Sequence, residues 1–144
     1  MYRILICEDN GHAAKLKDFL EQFVSKVELV DNLSDATEFL EDNPGADKFD
    51  MLFLDLSMSS RDLPDELQQY GEQYIEKYFA GWLFYKHFLV KYPKLQEKTV
   101  FYTAFQSQFR EQIGDNVYEK LNILSKSNPN MLENAKEYVA KFLK

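Results

Sequence analysis

Five short runs are apolar along nearly their whole length: "YRILIC" (2–7), "VELV" (27–30), "FDMLFLD" (49–55), "KTVFYTA" (98–104) and "LNILSK" (121–126). A strand with one wet face alternates apolar and polar residues, whereas one buried on both faces does not. Longer amphipathic stretches lie between the runs. Leu16, Phe19, Leu20, Phe23 and Val24 follow helical spacing. Ser34 is placed to cap a helix carrying Ala36, Phe39 and Leu40, which ends at "DNPG". A last helix is expected from about Pro129, with Leu132, Ala135, Val139 and Leu143 on one face. Doubly buried strands separated by helices predict an α/β fold, a doubly wound five-stranded parallel sheet. The 144 residues form one domain in this reading, 1–144, without internal repeats.

The interval from Asp55 to Thr103 is much longer than the ~30 residues of a βαβ unit. The surplus lies in 57–80. Pro64 can open a helix there with Asp62 as its cap, and Leu67, Tyr70, Tyr74, Tyr78 and Phe79 fall near one side. An extra helical segment is therefore expected between strand three and the crossover helix, with breaks at Gly71 and Gly81. Its tyrosines either pack down on the domain or stay exposed as a partner surface, a homodimer being one form of that. The stripe Phe84, Tyr85, Phe88, Leu89, Tyr92 has helical spacing and reads as core.

A net charge of −7 argues against nucleic acid as a partner. No run approaches the ~20 apolar residues of a membrane span, and acidic residues follow the first apolar run too soon for a signal peptide. Cys7 is the single cysteine, which excludes an internal disulfide and suits a reducing, cytoplasmic setting; in its apolar strand it reads as an inert buried thiol. His12 and His87 show no metal-ligand spacing and read as non-catalytic.

In a doubly wound sheet, ligands bind beyond the carboxyl ends of the strands. At those ends stand Glu8 and Asp9, then Asp55, Thr103 and Lys126. Three converging acids repel one another and need a cation to remain ionised together. Oxygen donors of this kind suit Mg²⁺. A carboxylate beside such a cation can attack phosphorus and form an acyl phosphate, while an ammonium and a hydroxyl hold the phosphoryl oxygens. This chemistry accounts for an acid at the end of an apolar strand, where it would otherwise be costly.

The elements "ILICEDN", "MLFLDLSM", "VFYTA" and "ILSK", in this order, resemble the receiver domain of bacterial two-component response regulators, a CheY-like domain. The resemblance spans the chain apart from 57–80. It implies flavodoxin-like strand order 2-1-3-4-5, Mg²⁺ held by Glu8, Asp9 and Asp55 with the Ser57 carbonyl, and phosphorylation of Asp55 by a sensor histidine kinase or phosphotransfer protein. Thr103 and Lys126 would contact the phosphoryl group. The chain would then be a cytoplasmic phosphoprotein that switches an unnamed downstream protein, catalysing only its own phosphoryl transfer and dephosphorylation. Two positions depart from the pattern: Ser127 follows Lys126 where the family usually has a proline after a cis bond, and Ile123 stands where an aromatic switch residue is common. These departures keep open an interaction module of the same fold that works without phosphate. A haloacid-dehalogenase-type hydrolase would need an aspartate at the place of Ser57.

Overall fold

A computed structural model describes residues 2–9, 11, 13–24, 26–42, 48–71 and 78–143, all but the side chain of Asp62. Five strands, β1 (Arg3–Cys7), β2 (Lys26–Val30), β3 (Met51–Asp55), β4 (Thr99–Thr103) and β5 (Asn122–Ser125), form one sheet in the order β2-β1-β3-β4-β5. Every pairing is parallel. All five expected runs are strands, each trimmed at its ends except β2, which gains Lys26.

Both faces of the inner strands β1, β3 and β4 are covered, which is why these are apolar at successive positions, while the edge strands β2 and β5 are partly exposed. Leu5, Cys7, Leu52, Leu54 and Phe101 share one core with α2 (Leu33–Glu41), α3 (Ala80–His87) and Phe109 of α5 (Gln106–Ile113). The alternate residues Ile4, Ile6, Met51, Phe53, Val100, Tyr102 and Leu124 face a second core, with α1 (Ala13–Leu20) and α7 (Met131–Phe142). Fully burying a leucine or isoleucine in either core contributes about 2 kcal/mol. Among the described residues, no helix is long and apolar enough to cross a membrane.

Helix limits differ from the sequence expectation at α1, α2 and α7. α1 stops at Leu20 although its apolar spacing runs on. Val24 is buried from a following turn, and Phe23, 39% exposed, meets Phe19 edge-on at 5.3 Å. Asn32, not Ser34, caps α2: its side chain accepts from the Asp35 N–H at 2.7 Å. α7 begins at Met131 after Asn130, so Pro129 precedes the helix. Between β4 and β5 lie α5 and α6 (Asp115–Tyr118), two helices that the sequence pattern did not announce. Phe109 is the one fully buried side chain of the pair, too weak a stripe to show helical periodicity. Gly114, at φ +87°, makes the break between them.

The described part of the long connection after β3 carries two short 3-10 helices, Ser60–Asp62 and Asp65–Tyr70, the second with Gly71 as its cap. Tyr74 of the expected stripe, like His12, lies outside the described residues. Met58, Leu63, Leu67 and Phe79 pack into the core beside α3, while Tyr78 is 57% exposed. Two further contacts fasten this connection to the segment beyond it. The Tyr70 and His87 rings stack at 3.8 Å, and Lys91 pairs with Glu66 at 2.7 Å. After α3 the chain runs through a 3-10 turn, Leu89–Lys91, into α4 (Pro93–Glu97). Of the aromatic stripe, Phe84, Phe88 and Leu89 are buried, while Tyr85 and Tyr92 are partly buried against the same core.

Gly81 is not a break. It lies inside α3 and donates its N–H to the Leu56 carbonyl at 3.1 Å. A Cβ there would overlap the Asp55 carbonyl oxygen and lie 2.9 Å from Leu56 Cα. Only a residue without a side chain lets α3 approach the end of β3 this closely.

Candidate functional site at the carboxyl edge of the sheet

Asp55 is the last residue of β3 and is 1% exposed. Its two carboxylate oxygens have different partners. Oδ1 accepts from the Ser57 N–H at 2.8 Å, and Oδ2 accepts from Lys126 Nζ at 2.8 Å. The same ammonium pairs with Glu8 Oε1 at 3.6 Å. Glu8 follows β1 directly and is also buried, and its N–H donates to Val30 at the end of β2. Burial pushes the Asp55 carboxyl above its ordinary range, against the opposing pull of Lys126 and the Ser57 N–H; Asp9 adds to the upward push. Cys7, beneath the site, is buried, and burial followed by the Asp55 charge drives its thiol far above the ordinary value.

Thr103 ends β4 and is fully buried. Its hydroxyl oxygen accepts from the Phe105 N–H at 2.9 Å, and its carbonyl accepts from the Lys126 N–H at 2.9 Å. The loop carrying the lysine is thus tied to the end of β4. Gln106 Nε2 donates to Ser125 Oγ at 2.9 Å, and the Ser125 and Ser127 hydroxyls are 3.0 Å apart, so hydrogen bonds also run on either side of Lys126.

Asp9 is turned elsewhere. Its Oδ2 accepts from the Ser59 N–H at 2.9 Å, which anchors the start of the long connection to the acidic pair. Of the residues expected at the site, Glu8, Asp55 and Lys126 meet directly, Ser57 joins through its N–H, and Asp9 and Thr103 border the group through backbone contacts. Among the described residues, no three His, Cys, Asp or Glu side chains are gathered as a ready metal cluster. Lys126 stands between two of the acids instead. The donor set still fits a hard divalent cation, because Glu8, Asp9 and Asp55 bring oxygen donors to one sheet edge and only Glu8 and Asp55 share the Lys126 ammonium.

Two solved structures have this fold along almost the whole chain. The bacteriophytochrome response regulator AtBRR superposes with a TM-score of 0.63 at 16% identity, covering 99% of this chain and 92% of that one. The signal receiver domain of a putative LuxO repressor protein from Vibrio parahaemolyticus does so with a TM-score of 0.56 at 20% identity, covering 99% and 89%. The fold is therefore that of response-regulator receiver domains. No protein-family profile and no curated protein matches the sequence.

Sequence reasoning missed Gly81 as a packing residue and Ser59 as a partner of Asp9. A glycine within an apolar helical stretch was a usable signal for the first. Nothing local marks the second, since it joins residues far apart in the chain.

Proposed function

We propose that this chain is a phosphorylation-switched signalling domain that accepts a phosphoryl group on Asp55. The observation that carries the reading is the buried Asp55 carboxylate held at a strand end by Lys126, with Glu8 sharing the same ammonium. An Asp55 oxygen attacks phosphorus, and the bond from phosphorus to the donor breaks. In that step the donor, a histidine nitrogen of a kinase or phosphotransfer protein, keeps the electron pair. Lys126 then turns from the carboxylate to a phosphoryl oxygen, and the Ser57 N–H holds the remaining carboxyl oxygen. Glu8, Asp9 and Asp55, with the Ser57 carbonyl, would hold Mg²⁺, which supplies charge neutralisation for the phosphoryl oxygens when bound. Thr103 releases its hydroxyl from the Phe105 N–H to meet the phosphoryl group, and this coupling reaches α5 and the proteins that read the switch.

Incubation with Mg²⁺ and acetyl phosphate followed by mass spectrometry tests this. The expected result is a gain of one phosphoryl group that disappears in Asp55→Asn and on chelation of the metal. No gain in the unaltered protein overturns the proposal and leaves an interaction module that works without phosphate. Turnover of a phosphomonoester would instead indicate a hydrolase.

A further inference from the structure

We propose that Tyr102 is a positioning residue for Lys126, the aromatic floor across which the lysine crosses β4 to reach Asp55. This inference rests on the phosphoryl-acceptor reading and deepens it.

The register makes the crossing necessary. Asp55 of β3 pairs with Tyr102 of β4, and Tyr102 pairs with Leu124 of β5. Lys126 directly follows β5, and its N–H bonds to the Thr103 carbonyl, so the alternation of the strand, in which side chains two apart share a face, carries on to it and places it on the Leu124 side of the sheet. Tyr102 and Leu124 belong to the same core. Asp55 is one strand further away than the neighbour of β5, so the lysine stem must span β4, and Tyr102 is the β4 residue between the two ends. The geometry agrees: Lys126 Nζ is 4.7 Å from the Tyr102 ring centroid and 2.8 Å from Asp55 Oδ2. That separation is within the ~6 Å over which a cation is attracted to a ring face.

A lysine side chain has much rotational freedom, and the carboxylates attract its charge without fixing its path. An aliphatic residue at 102 would fill the space but exert no pull on the ammonium. The ring both fills it and holds the charge over one face, in a place where Tyr102 is 2% exposed and the Lys126 side chain 11%. Water competes little there, which strengthens such an attraction. The pull of a ring face is also less directional than a hydrogen bond. Nζ can therefore move from the carboxylate to a phosphoryl oxygen without leaving the ring. Burial, with Glu8 and Asp55 adding to it, pushes the Tyr102 phenol above its ordinary range, so the ring remains neutral at working pH.

The test compares Tyr102→Phe, which keeps the ring face, with Tyr102→Leu, and uses Tyr102→Met as a second non-aromatic variant should leucine fail to fold. Labelling by acetyl phosphate with saturating Mg²⁺ should be unchanged in Tyr102→Phe and about tenfold slower in the non-aromatic variants, a factor equivalent to about 1.4 kcal/mol. An independent readout is the proton NMR signal of the Lys126 ε-methylene. The ring should shift it upfield in the native protein and in Tyr102→Phe, and the shift should vanish in Tyr102→Leu, a signature that general loosening of the core does not reproduce. Labelling of a folded non-aromatic variant at the native rate overturns the inference, as does an unshifted ε-methylene in the native protein. If the native protein takes no phosphoryl group, the acceptor reading falls and any role for Tyr102 in that reaction falls with it. The ring-current shift still reports separately whether Lys126 lies on the ring.

Discussion

Asp55 is held differently on its two sides. Toward α3 the contact is backbone against backbone: Gly81 lies on the Asp55–Leu56 peptide with no space for a single added carbon. Along the carboxyl edge the hold is made by side chains, with Lys126 reaching the carboxylate from the end of β5 and Glu8, at the end of β1, sharing its charge. The first hold is steric and admits almost no adjustment, because packed backbone has no rotamers to change. The second is electrostatic and movable. A residue that must keep its place while its chemical partner changes needs both kinds. The fold supplies the rigid kind from the covered face and the adjustable kind from the edge where ligands bind.

The strongest way to break this comparison is at the rigid side. Gly81→Ala should lose about 3 kcal/mol of stability in urea unfolding, since either α3 or the end of β3 has to move. Loss of phosphoryl acceptance should accompany it even under conditions where the variant remains folded. A Gly81→Ala protein with native stability would show that the rear contact is looser than described.

A smaller effect of opposite sign is expected at the adjustable side. Burial is the leading influence on Asp55, so the folded state releases its proton at a higher pH than the unfolded chain, where the ordinary value is 3.8. Between those two values the folded state binds more protons. Stability then falls as pH rises from the ordinary carboxylate value through the raised one, and remains lower above it. Asp55→Asn has no such proton to lose. Thermal unfolding should find it equal to the native protein in acid and a few degrees more stable at neutral pH. Equal melting across the whole range would mean that Lys126 fully offsets the burial.

Gly71 sharpens the contrast with the smallest change. An added Cβ there would be 3.2 Å from Leu63 Cδ1, the free end of a flexible side chain, and the backbone φ of −71° suits any residue. Gly71→Ala should alter stability by no more than about 0.5 kcal/mol in the same unfolding experiment. A loss comparable to that at Gly81 would make the two glycines equivalent and remove the distinction between surface turn and rigid contact.

The inner strands were legible because burial on both faces leaves an unbroken apolar run, the edge strands β2 and β5 because a shorter apolar run survives partial exposure, and so were the polar residues at their ends. Helix limits were less so. The apolar spacing of α1 continues past Leu20, and Asn32 takes the cap of α2 while the expected Ser34 lies inside its first turn. α5 was not visible because Phe109 alone buries fully from it. In the long connection, tyrosines at helical spacing suggested helix, yet 65–70 is a 3-10 turn whose buried residue is Leu67, with Tyr78 further on left exposed.

By itself the sequence determined the layers of this protein, since the period of its apolar residues records whether each segment is covered on one face or two. It also determined which edge of the sheet would be polar, because Glu8, Asp9, Asp55, Thr103 and Lys126 each end an apolar run. Only the tertiary structure decided who meets whom. That Lys126 reaches both Asp55 and Glu8, that Tyr102 lies beneath it, and that Gly81 presses on the Asp55 peptide all depend on strand register and helix approach. Periodicity reports how deeply a residue is buried. Its partners come from strands and helices distant in the chain, and their relative placement is set by packing the whole core at once.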